Sequence, residues 1–312
     1  MRFGTVAVVG RSNVGKSTFL NQAIGEDLAI VSPRPQTTRD ALLGICHLPE
    51  AQIAFVDTPG LHRPRNELGR RMNLVAWEAV RRADALVVMT AVGSRSSATD
   101  TTLDPEDRDL VAQLGTEQPA LVVINKVDTV ADKSRLLPLL GAWAAAFPGR
   151  ALVPASMLDR ADVDRVLAEL VSLLPEGSAE YPADDLTDRP TSFFVREYVR
   201  EQVLLSARGE VPHAAAVSLD EIVERGSLLV AKATIHVEKV GQRKILIGRG
   251  GQSIRDIGKS ARKRLEGLLG RPVYLELFVR VSPDWRDAPR QLGELGYAPT
   301  DAARARSLAR KP

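Results

Sequence analysis

The chain has a single cysteine, Cys46, among 312 residues. An intrachain disulfide is excluded, and the composition fits a reducing compartment. Long apolar runs are also lacking: none approaches the roughly 18 to 20 residues that a bilayer-spanning helix requires. The apolar stretch at residues 5–9 passes at once into a glycine-containing loop, so it reads as a strand and not as a secretion signal. Internal repeats are absent. These exclusions leave an ordinary globular chain, 44% apolar and long enough for two domains. Its net charge is only +3, but the charge is unevenly placed. From Arg189 onward, 23 Lys and Arg stand against 14 Asp and Glu, a net of +9, and the preceding part carries −6. A polyanionic partner is expected for the second part alone.

Up to residue 174, short runs rich in Val, Ile and Ala (5–9, 53–56, 85–89, 120–124 and 151–153) alternate with helical stretches such as 132–147 and 162–174. This pattern predicts an α/β domain with a doubly wound, mostly parallel sheet and its ligand at the strand C-terminal ends. Residues 41–47, joined to the next strand through a Pro49-Glu50 turn, predict one antiparallel strand. We expect this domain over residues 1–175, a Pro/Asp/Glu-rich linker over 176–190, a smaller α+β domain over 191–298 and a frayed tail over 299–312.

Three clusters in the first domain carry chemistry. Gly10, Arg11, Ser12, Asn13, Val14, Gly15, Lys16 and Ser17, followed by Thr18, form a phosphate loop between a strand and a helix. Its backbone N–H groups curl around phosphate, Lys16 reaches the β- and γ-phosphate oxygens, and Ser17 offers a hydroxyl to Mg²⁺. Asp57, Thr58, Pro59 and Gly60 form the second cluster. Asp57 is expected to hold Mg²⁺ through water and the Gly60 N–H to bond the γ-phosphate. The third is Asn125, Lys126, Val127 and Asp128. The Asp128 carboxylate can accept both the N1 and N2 donors of guanine, and adenine has no such pair. Lys126 is expected over the base and Asn125 between this loop and the phosphate loop. Backbone N–H groups of Ala155, Ser156 and Met157, after the following strand, are expected near guanine O6. Together these residues predict GTP and GDP binding, with hydrolysis.

A threonine that closes onto Mg²⁺ and the γ-phosphate is expected between the first two clusters; Thr38 is our assignment and Thr37 the alternative. The catalytic set is thus Lys16, Thr38 and Gly60, and the metal set Ser17, Thr38 and Asp57. The arginine-rich stretch 62–71 is expected to be a second mobile switch or a solvated helix face. Ras-type enzymes place a water-orienting Gln directly after the Gly of the second cluster, where this chain has Leu61. Leucine cannot polarise water, so slow intrinsic turnover is expected unless another group or cation assists. Asn13 is a candidate ligand for K⁺.

In the second domain, Gly248-Arg249-Gly250-Gly251 has the G-x-x-G form of a KH loop, which clamps single-stranded nucleotides where phosphates pass close to the main chain. Arg243, Lys244, Arg249, Arg255, Lys259, Arg262, Lys263 and Arg264 crowd around it against Asp256 alone, and Ile245, Ile247 and Ile254 are candidates for a base-facing groove. The order helix-strand-strand-helix-helix-strand fits a type II KH domain. The expected RNA-binding set is Arg243, Lys244, Ile247, Gly248, Arg249, Gly250, Gly251, Ile254 and Arg255.

Taken together, Gly-Arg-Ser-Asn-Val-Gly-Lys-Ser, Pro-Gln-Thr-Thr-Arg-Asp, Asp-Thr-Pro-Gly-Leu-His-Arg-Pro, Asn-Lys-Val-Asp and Val-Gly-Gln-Arg-Lys-Ile-Leu-Ile-Gly-Arg-Gly-Gly resemble the Era family. These are bacterial P-loop GTPases with a hydrophobic residue in place of the Gln and a C-terminal type II KH domain. The resemblance covers about residues 3–298. It implies binding of the 16S rRNA 3′ end, action on the 30S ribosomal subunit during assembly, and a cytoplasmic location with some peripheral contact to the inner membrane. A monomer suffices for all of this. The chain departs from the family pattern at Ser12, where Pro is usual, at Met157, where Ala is usual, and in a longer polar stretch at 93–104. Other classes stay open on the residues alone: a nucleotide kinase, a GTPase acting on tRNA, and an RNA adaptor that binds nucleotide without significant turnover. Residues 125–128 and the lack of a recognisable lid argue against the kinase. If Asn13 holds a monovalent cation, GTP turnover in KCl exceeds that in NaCl at matched ionic strength. Equal rates in the two salts remove that role.

Overall fold

The computed structural model describes residues 1–93, 103–115, 117–207 and 209–297. The expected tail and most of the 93–104 stretch lie outside them. The chain divides into two compact units. One comprises Met1–Ala29, Thr38–Arg63 and Met72–Asp188; the other comprises Ile30–Thr37, Pro64–Arg71 and the chain from Arg189. Among the described residues no helix is long and apolar enough to cross a membrane.

The first unit is built on β1 (Arg2–Gly10), α1 (Lys16–Ile24), β2 (Leu42–His47), β3 (Ala51–Asp57), α2 (Glu67–Arg82, which begins in the other unit), β4 (Ala85–Ala91), α3 (Pro105–Gln113), β5 (Ala120–Asn125), α4 (Leu136–Ala146), β6 (Ala151–Pro154) and α5 (Arg160–Leu173). The six strands lie in the order β2-β3-β1-β4-β5-β6, with β2 antiparallel to β3 and the other pairs parallel. Strands β4 and β5 are buried along almost their whole length because helices cover both faces, which explains their unbroken apolar sequence. Strand order reverses at β1, so the loop after β1 opens at the switch point, where doubly wound sheets bind ligands. The helices start where the sequence supplies caps. Asp104 accepts the Glu106 N–H ahead of α3, and Asp159 accepts the Ala161 N–H ahead of α5. In α2, Leu68, Met72, Ala76 and Val80 recur every fourth residue and are all buried, so the expected switch over 62–71 gives way to helix from Glu67.

The linker stretch is seated on this unit. The Leu186 carbonyl accepts the Ile45 N–H at 2.8 Å, Thr187 donates to the Leu43 carbonyl at 2.6 Å, and the Gln52 side chain bonds the main chain at Glu180 and Tyr181. The stretch therefore runs along β2, the edge strand. The Cys46 thiol is buried, with its pKa pushed up to about 11 by burial, and it packs instead of reacting.

The second unit contains α6 (Thr191–Ser206), α7 (Val211–Ala214), β7 (Ala216–Arg225), β8 (Leu228–Val237), α8 (Val240–Ile247), α9 (Gln252–Leu269), β9 (Val273–Val281) and α10 (Pro289–Glu294). Strand β8 is central, antiparallel to β7 and parallel to β9; the parallel pairing requires the α8–α9 crossover. Val199 and Val203 of α6 join Ile257 and Ala261 of α9 and Ala233, Ile235 and Val237 of β8 in one core.

Both units bury a tryptophan completely, but with different polar fates. The Trp285 indole donates to the Ala214 carbonyl at 2.9 Å, whereas the Trp143 indole N–H is buried with no partner. Changing each to Phe removes similar volume, but only Trp285→Phe strands an acceptor. We expect Trp285→Phe to lose roughly 1–2 kcal/mol more stability than Trp143→Phe in urea unfolding of the full chain followed by circular dichroism. Equal losses would contradict the role given to the Ala214 bond.

Candidate functional site

The phosphate loop is shaped by what its glycines omit. A Cβ on Gly10 (φ +148°) would stand 2.1 Å from the Met89 carbonyl oxygen, and one on Gly15 (φ +109°) 2.2 Å from the Asn125 amide nitrogen. Gly60 is equally confined: a Cβ there would lie 2.7 Å from the Ser12 backbone nitrogen. The Asp57–Gly60 turn is thereby packed directly against the loop. Lys16 is buried, and its ammonium donates to the carbonyls of Gly10 (3.1 Å) and Arg11 (2.8 Å). Burial draws its pKa down to about 8, against the opposing pull of Asp57.

The three expected metal ligands meet. The Ser17 hydroxyl donates to Asp57 Oδ2 at 2.7 Å, and the Thr38 hydroxyl lies 3.2 Å from the same oxygen and 3.0 Å from Ser17 Oγ. Burial pushes the Asp57 carboxyl above its ordinary range, while Lys16 and the two hydroxyls pull it back. Its second oxygen, Oδ1, is buried without a hydrogen-bond partner. One carboxylate with an open lone pair beside two hydroxyls is a hard-oxygen set that fits Mg²⁺. Thr37 is turned elsewhere, its hydroxyl donating to the Arg34 carbonyl at 2.8 Å.

Asn125 joins the loops. Its amide donates to the Val14 carbonyl at 2.8 Å, and its Oδ1 accepts the N–H groups of Lys126 (2.7 Å) and Met157 (3.0 Å). Lys126, held at φ +65°, adds a bond from its ammonium to the Asn13 carbonyl at 2.8 Å. Asp128 is exposed at the start of the following turn. A cavity of about 690 Å³ runs from Arg11–Val14 past Ala91–Gly93 to Lys126 and Thr129.

Two expectations need correction, and one residue has a duty that spacing did not show. The N–H groups of Ala155, Ser156 and Met157 are already donating, to the Ile124 carbonyl, Asp162 Oδ2 and Asn125 Oδ1, so they brace the loop and do not stand open for guanine O6. Thr58 is fully buried with its hydroxyl on the Val8 carbonyl at 2.8 Å; it fixes the turn before Pro59 and Gly60 and is not presented to a ligand. Leu61 packs against the core between the sheet and its helices, and its N–H donates to the Gly10 carbonyl at 3.3 Å, so the residue at the Gln position has a packing duty. One contact of the phosphate loop was missed altogether. The Arg11 guanidinium is gripped by Asp107 (2.9 Å) and Asp104 (3.1 Å), and Asp107 also accepts from Thr90 at 2.6 Å. Its sequence signal is slight, because Asp104 and Asp107 look like ordinary acidic residues of a helix start.

In the second unit, Gly248, Gly250 and Gly251 all take positive φ values (+72°, +59° and +76°) at the α8–α9 junction. Their duties differ. A Cβ on Gly248 would meet the Ser253 nitrogen at 2.9 Å, whereas one on Gly250 would meet nothing within 4 Å. Gly248 closes the turn onto α9, and Gly250 faces open space. Arg243, Lys244, Arg249, Arg255, Lys259, Arg262 and Lys263 are exposed around the loop, with Ile247 and Ile254 half-buried beside it. Arg255 also donates to the Gly250 carbonyl at 2.8 Å and so stiffens the loop. Arg264 leaves the expected basic cluster: it pairs with buried Glu201 and lies over the Tyr198 ring at 4.3 Å.

Comparison with known proteins agrees with this arrangement. A family model described as 50S ribosome-binding GTPase matches residues 5–126, and one for the KH domain matches residues 210–286. The chain is 42% identical over 300 residues to GTPase Era of Lacticaseibacillus paracasei, covering 96% of this chain and 97% of that protein. The crystal structure of Aquifex aeolicus Era bound to GDP and AlF4⁻ matches with a TM-score of 0.89 at 39% identity, over 96% of this chain and 100% of that one. A crystal structure of Era in complex with MgGDPNP and nucleotides 1506–1542 of 16S ribosomal RNA matches with the same TM-score at 38% identity, over 96% and 99%.

Because Asn125 makes three bonds across three loops, Asn125→Ala is expected to weaken GDP and GTP together, by about 100-fold or more on the scale of buried hydrogen bonds. Titration with a fluorescent guanine nucleotide measures this. A loss confined to GTP would show that the amide does not hold the loops.

Proposed function

The chain belongs to the Era family of GTPases, and from that premise we propose that it is a GTP-switched RNA-binding protein acting in assembly of the small ribosomal subunit. The observation that carries this reading is one chain holding both the Ser17–Thr38–Asp57 oxygen cluster and an outward-facing Gly250 in a basic G-x-x-G loop. Residues 1–175 are assigned to the GTPase domain, 176–190 to the linker and 191–298 to the KH domain.

In this proposal Gly10–Thr18 bind the phosphates, with Lys16 placing its ammonium between the β- and γ-oxygens once these displace its loop carbonyls. Ser17, Thr38 and Asp57 would hold Mg²⁺, which when bound would neutralise the charge that develops on the GDP leaving group. The Gly60 N–H and the Thr38 main chain report the γ-phosphate, and Asp128 accepts from the guanine edge. Leu61 leaves the attacking water without a side-chain partner at that position, which favours a slow timer over a fast catalyst. On the other domain, Gly248–Gly251 let RNA phosphates approach the main chain while Arg243, Lys244, Arg249 and Arg255 neutralise them and Ile247 and Ile254 meet bases. The partners assigned are the 3′ end of 16S rRNA and the 30S subunit. The location assigned is the cytoplasm, with peripheral electrostatic contact to the inner membrane, and the working form is a monomer.

The experiment is binding of a short single strand carrying the 16S 3′-terminal sequence, with GDP and with a non-hydrolysable GTP analogue. Tighter binding with the analogue than with GDP, and tighter than to a scrambled strand, is expected. Gly250→Asp, which has space for its side chain but sets a carboxylate against the phosphates, should reduce RNA affinity about tenfold or more and leave GTP turnover unchanged. Unchanged RNA affinity in that variant would remove the loop from the binding site.

A further inference from the structure

Eight residues just ahead of Thr38, Ile30–Thr37, belong to the second unit. They are tied to α6 at three points. The Glu201 carboxylate accepts the Val31 backbone N–H. The Arg34 guanidinium donates to the Ala207 carbonyl at the end of α6. The Arg200 guanidinium donates to the Thr37 carbonyl at 2.6 Å. Two of the ties, at Val31 and Thr37, grip the segment's own main chain, so what is fixed is the path of its backbone.

Arg200 and Glu201 are unusual residues for this duty. Their side chains are only 1% and 2% exposed, and charged groups are seldom buried so fully. Glu197 neutralises Arg200, and Arg264 of α9 neutralises Glu201. A buried pair of this kind can often be exchanged for apolar residues without loss of stability, so stability alone does not call for it. The two charges do have a steric task, since a carbonyl and an N–H from the same segment end on them. The residue after Thr37 is the threonine whose hydroxyl meets Ser17 and Asp57.

We propose that Arg200 and Glu201 are positioning residues for the GTPase reaction: by holding the main chain from Val31 to Thr37, they set the place of Thr38. The proposal rests on the reading of Thr38 as the group that closes onto the γ-phosphate. GDP lacks that phosphate, so a loosened segment penalises GTP and spares GDP. Glu201 also holds Arg264, in the helix that begins at the G-x-x-G loop, so the carboxylate that steadies the segment also steadies the RNA-facing helix.

The test uses the full-length protein with Thr38→Ala, Arg200→Met and Arg34→Ala. The readouts are affinity for GDP and for a non-hydrolysable GTP analogue in Mg²⁺, kcat and KM for GTP, and the unfolding midpoint. Thr38→Ala and Arg200→Met should each lose about tenfold in analogue affinity, the value of one charge-assisted hydrogen bond, with GDP affinity within about twofold of the parent. In both, kcat should fall. Selective loss in Thr38→Ala with none in a folded Arg200→Met overturns the proposal and leaves the reading of Thr38 standing. No selective loss in Thr38→Ala overturns that reading and the proposal with it. Parallel losses of GDP and analogue with a lowered midpoint show a merely structural Arg200 and also overturn it. If Arg200→Met does not fold, Arg34→Ala carries the test, with about a threefold selective loss expected; equal affinities there overturn the proposal.

Discussion

The Asn125 side chain is the constraint on which the nucleotide site depends. A primary amide has donors on one side and an acceptor on the other, and here both sides are spent. The donor fixes the phosphate loop at Val14, and the acceptor gathers the main chain at Lys126 and Met157. Three loops that leave β1, β5 and β6 are thereby brought into one rigid assembly. The arrangement demands emptiness opposite the amide. Gly15 supplies it, since any side chain there would overlap the amide nitrogen. The joining of these loops thus reduces to one amide and one missing methyl group.

The legible part of the sequence was the part written locally. The phosphate loop, the Asp57–Gly60 turn and residues 125–128 are contiguous, each following an apolar strand, and they contain Ser17 and Asp57; Thr38 lies outside them and was assigned with Thr37 as the alternative. Strand directions followed as well, including the antiparallel β2, because a turn of two residues permits no other pairing. What stayed hidden depends on partners far along the chain. Nothing around Arg11 indicates Asp107, 96 residues away. Arg264 looked like one more member of a basic run until Tyr198 and Glu201 drew it inward. Thr58 sat inside a motif and was credited with the motif's role, whereas its hydroxyl serves β1. The helical period in α2 was present in Leu68, Met72, Ala76 and Val80 but was masked by the arginines between them.

The two glycine-rich loops solve related problems differently. In the phosphate loop, each confined glycine faces protein, so the glycines serve close packing of one loop on another. In the G-x-x-G loop, Gly248 faces protein and Gly250 faces outward. Only the second kind is free to be filled by a ligand, and there a substitution meets no neighbouring atom and costs only the strain of a positive φ. The distinction could not be read from the motif, which treats all its glycines alike.

The acidic stretch along β2 has a consequence for the protein's behaviour in concentrated solution. Strand β2 is the edge of a six-stranded sheet, and an edge strand with free main-chain groups is a template for another chain. Here the linker occupies that template: Leu186 takes the Ile45 N–H and Thr187 takes the Leu43 carbonyl. Its Pro and Asp residues make the covering segment itself a poor strand to extend. Proteolytic nicking within the linker would therefore do more than separate two domains. It would loosen the segment that covers β2 and leave main-chain groups of the sheet edge open to another strand.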